Sequence, residues 1–240
     1  MNKYEVKSFN ELSLWKKEMT KEANAFGKAS KSLQNKINSK IPDKVHETIT
    51  NLIKKMVETV IAGSELTTKK SISKGNLEFR EGLVREKITA YRNIATLSGG
   101  GTGAGGLILG LADFPILLSL QIKFLYEIAN IYGFDVKNYK ERLYILHIFE
   151  LAFSSDEKRI KVYKKLLKWV DYAKELPNDP ELFDWKSFQQ EYRDYIDIAK
   201  MLQLVPVIGA PVGAIANYRL MNKLGITAMN AYRLRIFKLI

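Results

Sequence analysis

Cysteine is absent from the 240 residues of this chain, and histidine occurs only twice. Without cysteine the protein can form neither disulfides nor thiolate metal sites, which agrees with a reducing compartment. His46 and His147 stand about a hundred residues apart, so they lack the spacing of a metalloprotease motif. We therefore expect no metal and no cofactor. His147 lies in an apolar run, where a hydrogen-bonded core residue is expected.

Leader and nucleotide motifs are missing as well. The first residues carry charges throughout and lack the apolar core of a secretory signal, so we expect a cytoplasmic protein. Neither the G-x-S-x-G pattern of serine hydrolases nor a P-loop occurs. Gly101, Gly103 and Gly106 do match G-x-G-x-x-G, the dinucleotide pattern. The preceding residues have helical rather than strand periodicity, so we reject a nucleotide site.

Glycine is instead concentrated in one apolar stretch. Seven of the 15 glycines fall between Ile94 and Ile122, where Asp113 is the single charged residue. Because glycine costs about 1 kcal/mol relative to alanine inside a helix, this density requires a reason. Two reasons fit: close packing of two helices in a buried hairpin, or contact with lipid. A stable membrane span is disfavoured, since Asp113 and Pro115 would lie near its middle.

Basic residues flank this neutral stretch on both sides. Lys and Arg outnumber Asp and Glu by 19 to 11 in residues 1–98 and by 18 to 13 in residues 134–240, within a net charge of +12. Anionic lipid headgroups suit such a surface, at about 1 kcal/mol per well-placed cation, although solvated helix faces look the same. Nucleic acid is not favoured, because the basic residues are spread along the chain. The candidate ligand or membrane contacts are Gly101, Gly103 and Gly106 in the glycine-rich stretch. On one basic helix they are Lys158, Lys161, Lys164, Lys165 and Lys168.

Helical periodicity dominates the chain, and no clear segment alternates with a period of two. We predict an all-α fold, a single multi-helix bundle with a buried glycine-rich helical hairpin. Residues 1–75 are predicted to form an N-terminal helical extension that packs on a core of residues 76–240. Ser8 and Glu11 have the spacing of a capping box at the first helix start. The predicted helices cover about residues 8–39, 43–62, 77–96, 114–132, 139–153, 156–176, 185–202 and 217–240.

Carboxylates are the remaining candidates for chemistry. Asp113 and Glu127 are the acids of the apolar region, and Asp135 follows shortly after it. Asp113 is well placed to cap the helix that contains Pro115, and Glu127 is spaced to pair with Lys123. These ordinary structural roles are the more common ones. A hydrolase would need the acids to share one cavity.

Specific residues resemble the EcsC family. The central signature of that family is a Gly/Ala-rich patch, an Ala-Asp-x-Pro turn, an apolar helix and an E-I-A-x-x-Y-G-[FY]-D end. The matching residues here are Ala112, Asp113, Pro115, Glu127, Ile128, Ala129, Tyr132, Gly133, Phe134 and Asp135. The C-terminal segment is similar to the family's closing segment at Asn217, Tyr232, Arg233 and Arg235, and Trp15 and the Ile41–Val45 turn are similar too. The resemblance spans nearly the whole chain.

What the resemblance implies is a bacterial cytoplasmic protein at the inner face of the membrane, with structural roles for Pro115, Tyr132, Gly133, Asn217 and Arg233. The family's namesake is encoded beside the subunits of an ABC-type exporter, so exporter subunits are implied as partners. The resemblance supplies no catalytic residues.

Three functions therefore stand as hypotheses. The first is a non-enzymatic accessory factor that associates peripherally with an anionic membrane surface or lipid. The second is a hydrolase or lipid-modifying enzyme that uses buried carboxylates. The third is a soluble scaffold that binds a partner through the aromatic-rich helix near Trp185–Tyr195. The excess of basic residues on both sides of the neutral apolar stretch favours the first hypothesis.

Overall fold

The computed structural model describes residues 1–21, 43–63, 75–101, 114–196 and 210–240. Within these ranges the chain is helical and contains no β-strand, which confirms the predicted all-α bundle. Nine helices lie there: α1 (Lys3–Thr20), α2 (Asp43–Ala62), α3 (Leu77–Gly101), α4 (Phe114–Tyr132), α5 (Tyr139–Phe153), α6 (Asp156–Leu167), α7 (Trp169–Glu175), α8 (Trp185–Tyr195) and α9 (Ala210–Ile236). A short 3-10 turn, Pro180–Leu182, lies between α7 and α8.

Helices α3 and α9 are antiparallel and form the most extensive helix contact among the described residues. Glu81 in the first turns of α3 meets Arg233 near the end of α9. In the other direction, Asn217 near the start of α9 donates a hydrogen bond of 3.2 Å to the carbonyl of Ala95 near the end of α3. Polar contacts at both ends therefore fix how the two helices lie against each other.

A glycine midway along α9 permits the close approach of these helices. A Cβ atom added at Gly225 would stand 2.6 Å from Ile88 Cγ1 on α3, inside van der Waals contact. Glycine has no side chain, so the α9 backbone can lie directly on the isoleucine. Close helix packing through glycine thus occurs at Gly225, whereas most of the predicted glycine cluster lies outside the described residues.

Helices α4 and α5 form the centre of the core. Every residue of α5 except Lys140 is buried, which confirms the prediction of a buried helix over Tyr139–Phe153. Helix α4 runs antiparallel to α3, since Glu127 bonds to Tyr91 while Tyr132 lies at Glu81. Among the described helices, α4 alone has the length and apolar composition of a membrane span, but 67% of that stretch is buried in the bundle.

Several predicted helix ends are confirmed. Gly63 and Gly133 have φ angles of 67° and 92°, the left-handed conformation that glycine adopts without strain and that commonly ends a helix. Ser155 caps α6, because its side chain accepts a hydrogen bond from the backbone N–H of Lys158. The local sequence therefore predicted these helix ends correctly.

Several boundary predictions are wrong. The first and seventh predicted helices end early, at Thr20 and Tyr195, and the last begins at Ala210 rather than at residue 217. The capping box at the start of α1 is formed by Asn2 and Glu5, whereas Ser8 is buried inside the helix. The glycines after residue 98 do not break α3 at once, since the helix continues to Gly101. The predicted helix over residues 156–176 is two helices, because the backbone turns at Lys168.

The predicted glycine-rich hairpin lies largely outside the described residues. Residues 22–39 of the first predicted helix and residues 197–202 of the seventh also lie outside them. Within the described part, α1 packs against α3, α6 and α9, and α2 packs against α4, α5 and α8. The division of the chain at residues 75 and 76 stays a prediction.

Candidate functional site

Three helix ends lie together at one end of the bundle. Because α4 and α9 both run antiparallel to α3, the last turns of α3 are level with the first turns of α4 and α9. Each helix exposes an isoleucine there: Ile94 on α3 is 48% exposed, Ile116 on α4 is 64% and Ile215 on α9 is 53%. Single exposed isoleucines are ordinary, but three at the same end of the bundle make that end a candidate apolar surface. We call these three residues the isoleucine rim.

An arginine stands on an aromatic ring beside the rim. The guanidinium of Arg92 lies 4.3 Å from the ring centroid of Tyr218, a cation–π contact, and Tyr218 is 40% exposed. Arg92 Nη1 is 3.5 Å from Asn222 Oδ1, at the limit of a hydrogen bond, and Nε is buried without a hydrogen-bond partner. The side chain of Arg92 as a whole is half-buried, so it adds positive charge at this end of the bundle.

The candidate acids do not form a common site. Glu127 forms an ion pair of 2.7 Å with Lys87 Nζ and accepts a hydrogen bond of 2.8 Å from the Tyr91 hydroxyl, so its direct ion pair is with Lys87 rather than with the predicted Lys123. Burial raises the pKa of Glu127, but the contacts with Lys87 and Tyr91 outweigh it and hold the pKa below its ordinary value. Asp135 is exposed and accepts from the Lys137 backbone N–H, and Asp113 lies outside the described residues.

The residues that match the EcsC motifs differ in their surroundings: Arg233 and Tyr132 are buried, whereas Pro115 is exposed. Arg233 is 1% exposed, and both oxygens of the fully buried Glu81 accept its guanidinium hydrogen bonds at 2.6 Å. Burial raises the pKa of Glu81, but Arg233 outweighs it and the pKa lies below 4.5. Tyr132 is buried with its hydroxyl 3.5 Å from Glu81. Pro115 is exposed in the first turn of α4.

The proposed membrane-contact residues divide into two groups. On α6 and its C-cap, Lys161, Lys164 and Lys168 are exposed, while Lys165 forms an ion pair of 2.8 Å with Glu191. Lys158 is half-buried in the first turn of α6. Gly101 is the last residue of α3, and both Gly103 and Gly106 lie outside the described residues.

The periodicity of the sequence did not predict the isoleucine rim, but the apolar run around His147 did predict that this residue lies in the core. Helical spacing from Ile88 and Tyr91 would place Ile94 on the apolar face of α3, but the structure buries the neighbouring Ala95 and turns Ile94 outward. His147 is 4% exposed and its Nδ1 lies 2.8 Å from Glu150 Oε2, which confirms a hydrogen-bonded core residue. Within the described ranges, no three histidine or carboxylate side chains are grouped closely enough to hold a metal ion.

Comparison with known proteins identifies the relatives of this bundle. The model of the EcsC protein family matches residues 6–237. The chain belongs to the EcsC family. Protein EcsC of Bacillus subtilis (strain 168) is 44% identical to it over 225 residues, 93% of this chain and 92% of that protein. Uncharacterized protein YdbA of the same organism is 34% identical over 159 residues, 66% of this chain and 57% of that protein. No solved structure matches the EcsC-family chain significantly.

Proposed function

We propose that this EcsC-family protein is a non-enzymatic accessory factor that binds peripherally to an anionic membrane surface on the cytoplasmic side. The isoleucine rim carries the proposal. A soluble bundle gains nothing from apolar side chains exposed on three helix ends, whereas insertion at the headgroup level would bury them. Because most of α4 is buried, its place is in the bundle core, and contact is made by the end of the bundle.

Charge around the rim supports an anionic surface. The half-buried Arg92 lies on the ring of Tyr218, and the side chains of Arg219 on α9 and Lys123 on α4 are exposed. An arginine donor next to an apolar rim is suited to lipid phosphate, with the isoleucines below the headgroups. The tyrosine ring fits the same interface, since its apolar body and polar hydroxyl prefer the headgroup level.

Vesicle flotation tests the proposal with matched variants. The wild-type chain is expected to float with vesicles of phosphatidylcholine and phosphatidylglycerol, and less with phosphatidylcholine alone. The double variant Ile116→Ser/Ile215→Ser should lose about 30-fold in partitioning, at about 1 kcal/mol for each partly inserted isoleucine. Leu182→Ser is the control, because Leu182 is 75% exposed but adjoins Phe183, which packs on Tyr139 at the start of α5.

Two outcomes would contradict the proposal. If the isoleucine double variant and Leu182→Ser lose binding equally, the rim is not the contact surface. If binding to anionic vesicles is unchanged by high salt and by Arg92→Gln, the electrostatic part is wrong, because exposed charge pairs are screened within about 10 Å at moderate salt.

Association with an ABC-type exporter is a separate proposal that follows from the family resemblance. Membrane contact through the isoleucine rim would bring the protein to such a complex. Binding of purified exporter subunits to the chain in detergent tests it, with the Ile116→Ser/Ile215→Ser variant as the comparison. The aromatic helix α8 is a poor contact for a partner, because Phe188 and Tyr192 are both buried.

A further inference from the structure

A cleft of about 360 Å³ opens beside the basic helix, away from the isoleucine rim residues. This volume lies in the range of small-molecule sites, about 300–1,000 Å³. Helix α5 supplies its floor, the α6–α7 junction and α7 supply one side, and α8 supplies the other. The lining residues are His147, Lys165, Lys168, Asp171, Tyr172, Glu175, Phe188 and Glu191.

The floor of this cleft is a buried histidine–carboxylate pair. His147 Nδ1 lies 2.8 Å from Glu150 Oε2, which leaves Nε2 as the ring nitrogen that can meet a ligand. Glu150 is 1% exposed, and its second oxygen, Oε1, is buried without a hydrogen-bond partner. An unsatisfied buried carboxylate oxygen is costly, and a positive charge nearby would lower that cost.

Aromatic rings line the cleft above this floor. Phe188 is 7% exposed, and its ring centroid lies 5.7 Å from that of His147. Tyr172 lies 6.3 Å from His147 in an edge-on arrangement. Aromatic faces attract organic cations through the ring quadrupole, and several faces around one cavity act together.

Charged side chains of both signs line the mouth: Asp171, Glu175 and Glu191 with Lys165 and Lys168. Glu191 pairs with Lys165 at 2.8 Å and Asp171 pairs with Lys174 at 3.0 Å, so Glu175 is the carboxylate of the mouth that has no ion pair among the described residues. Tyr172 in the wall of the cleft lies near negative charge. Burial raises the pKa of Tyr172, and the negative charges of Glu191 and Glu150 raise it further. The cleft therefore combines apolar faces with a negative field.

We propose that this cleft binds a small organic ammonium ion. The aromatic faces of Tyr172 and Phe188 surround its carbon atoms, its N–H groups donate to His147 Nε2, and Glu175 stabilises its charge at the mouth. Glu150 holds the His147 ring in place through Nδ1, which makes Glu150 a positioning residue. The proposal is independent of membrane binding, since none of its residues belongs to the isoleucine rim.

Calorimetric titration of the full chain with three probes tests the ligand class. Butylammonium has the charge, an apolar body and N–H donors; tetramethylammonium has the charge without donors; butyrate has the body with the opposite charge. We expect a dissociation constant of about millimolar order for butylammonium, which is what a probe of this size allows. Tetramethylammonium should bind several-fold more weakly, and butyrate should not saturate. Butyrate binding as tight as butylammonium, or no saturation by either ammonium, would overturn the proposal.

Two variants at the mouth and one in the aromatic wall locate the binding. Glu175→Gln should weaken butylammonium about threefold, as expected for one exposed charge. Lys168→Gln is the matched control on the same helix face, and it should leave binding unchanged or strengthen it. Phe188→Leu should weaken binding about fivefold through the lost ring face. If Lys168→Gln weakens binding while Glu175→Gln strengthens it, the cleft is an anion site and the proposal is wrong. If none of the three variants changes the binding of butylammonium, the probe binds elsewhere and the proposal is also wrong.

Discussion

Two mid-helix glycines in this protein should respond in opposite ways to the same substitution. Gly225 lies on α9 where an added Cβ would meet Ile88 Cγ1 at 2.6 Å, whereas a Cβ at Gly82 on α3 would have no atom within 4 Å. Neither glycine has a positive φ, so alanine is compatible with both backbones. We predict that Gly82→Ala stabilises the fold and that Gly225→Ala destabilises it.

The magnitudes follow from two opposing terms. Alanine is favoured over glycine inside a helix by about 0.5–1 kcal/mol, and at the exposed Gly82 nothing opposes this gain. At Gly225 the new methyl group must displace a branched side chain that is itself buried, and overpacking of this kind costs about 1–3 kcal/mol. The net change for Gly225→Ala is therefore a loss of about 1 kcal/mol in the free energy of unfolding.

Urea unfolding followed by far-UV circular dichroism measures both changes, and a double-mutant cycle identifies the cause. Ile88→Ala removes the atoms that the new methyl group would meet. In that background Gly225→Ala should become stabilising, which gives a coupling energy of about 2 kcal/mol. If Gly225→Ala stabilises the wild-type chain as much as Gly82→Ala does, the two helices are not in close contact at this point and the reasoning is refuted.

Three further predictions concern buried charge and backbone conformation. Arg233→Met should lower the free energy of unfolding by about 3–5 kcal/mol in urea titrations, because the buried Glu81 loses two hydrogen bonds of 2.6 Å and keeps only the longer ion pair with Arg85 at 3.6 Å. The double variant Glu81→Leu/Arg233→Met should recover most of the loss. The pKa of Glu81 lies below its ordinary 4.5 in the fold, so its contribution is complete above that value and is lost as the pH falls through the lower folded pKa; thermal melts between about pH 6 and about pH 3 should show a shallower decline for Glu81→Gln than for wild type. Gly133→Ala should cost about 1–2 kcal/mol in the same melts, since the φ angle of 92° strains any residue with a Cβ; a change as small as that of an exposed helix position would contradict it.

Local signals in the sequence predicted several helix ends. Other helix ends depend on tertiary contacts, which the sequence alone does not show. Ser155 and Gly133 act within one turn of their own positions, so their roles can be read from the chain. Ser8 has the same capping spacing, but its hydroxyl lies 3.4 Å from Glu81, and Asn2 forms the cap instead. No glycine or proline marks the turn at Lys168, which is why one helix was predicted where there are two.

The candidate sites were harder to predict because their residues come together only in the fold. The isoleucine rim combines Ile94 and Ile116 with Ile215, which lies about a hundred positions further along the chain. A helical period cannot decide between Ile94 and Ala95 as the buried residue. The cleft unites α5 with helices that follow it. Its one local signal is the spacing of His147 and Glu150, three residues apart on a helix, which places both side chains on one face.

Polar contacts explain how a surface can depend on residues that it does not contain. Two long apolar helices can slide against each other by one turn at little cost, but α3 and α9 cannot, because a shift would leave the buried Arg233 and Glu81 without their partners. Arg233 lies 18 positions after Ile215, about 27 Å along α9 at 1.5 Å per residue. The Arg233–Glu81 pair therefore sets the level at which Ile215 meets the last turns of α3, and with it the geometry of the isoleucine rim. On this reasoning Arg233 matters for membrane contact through position alone, even though it never faces a lipid.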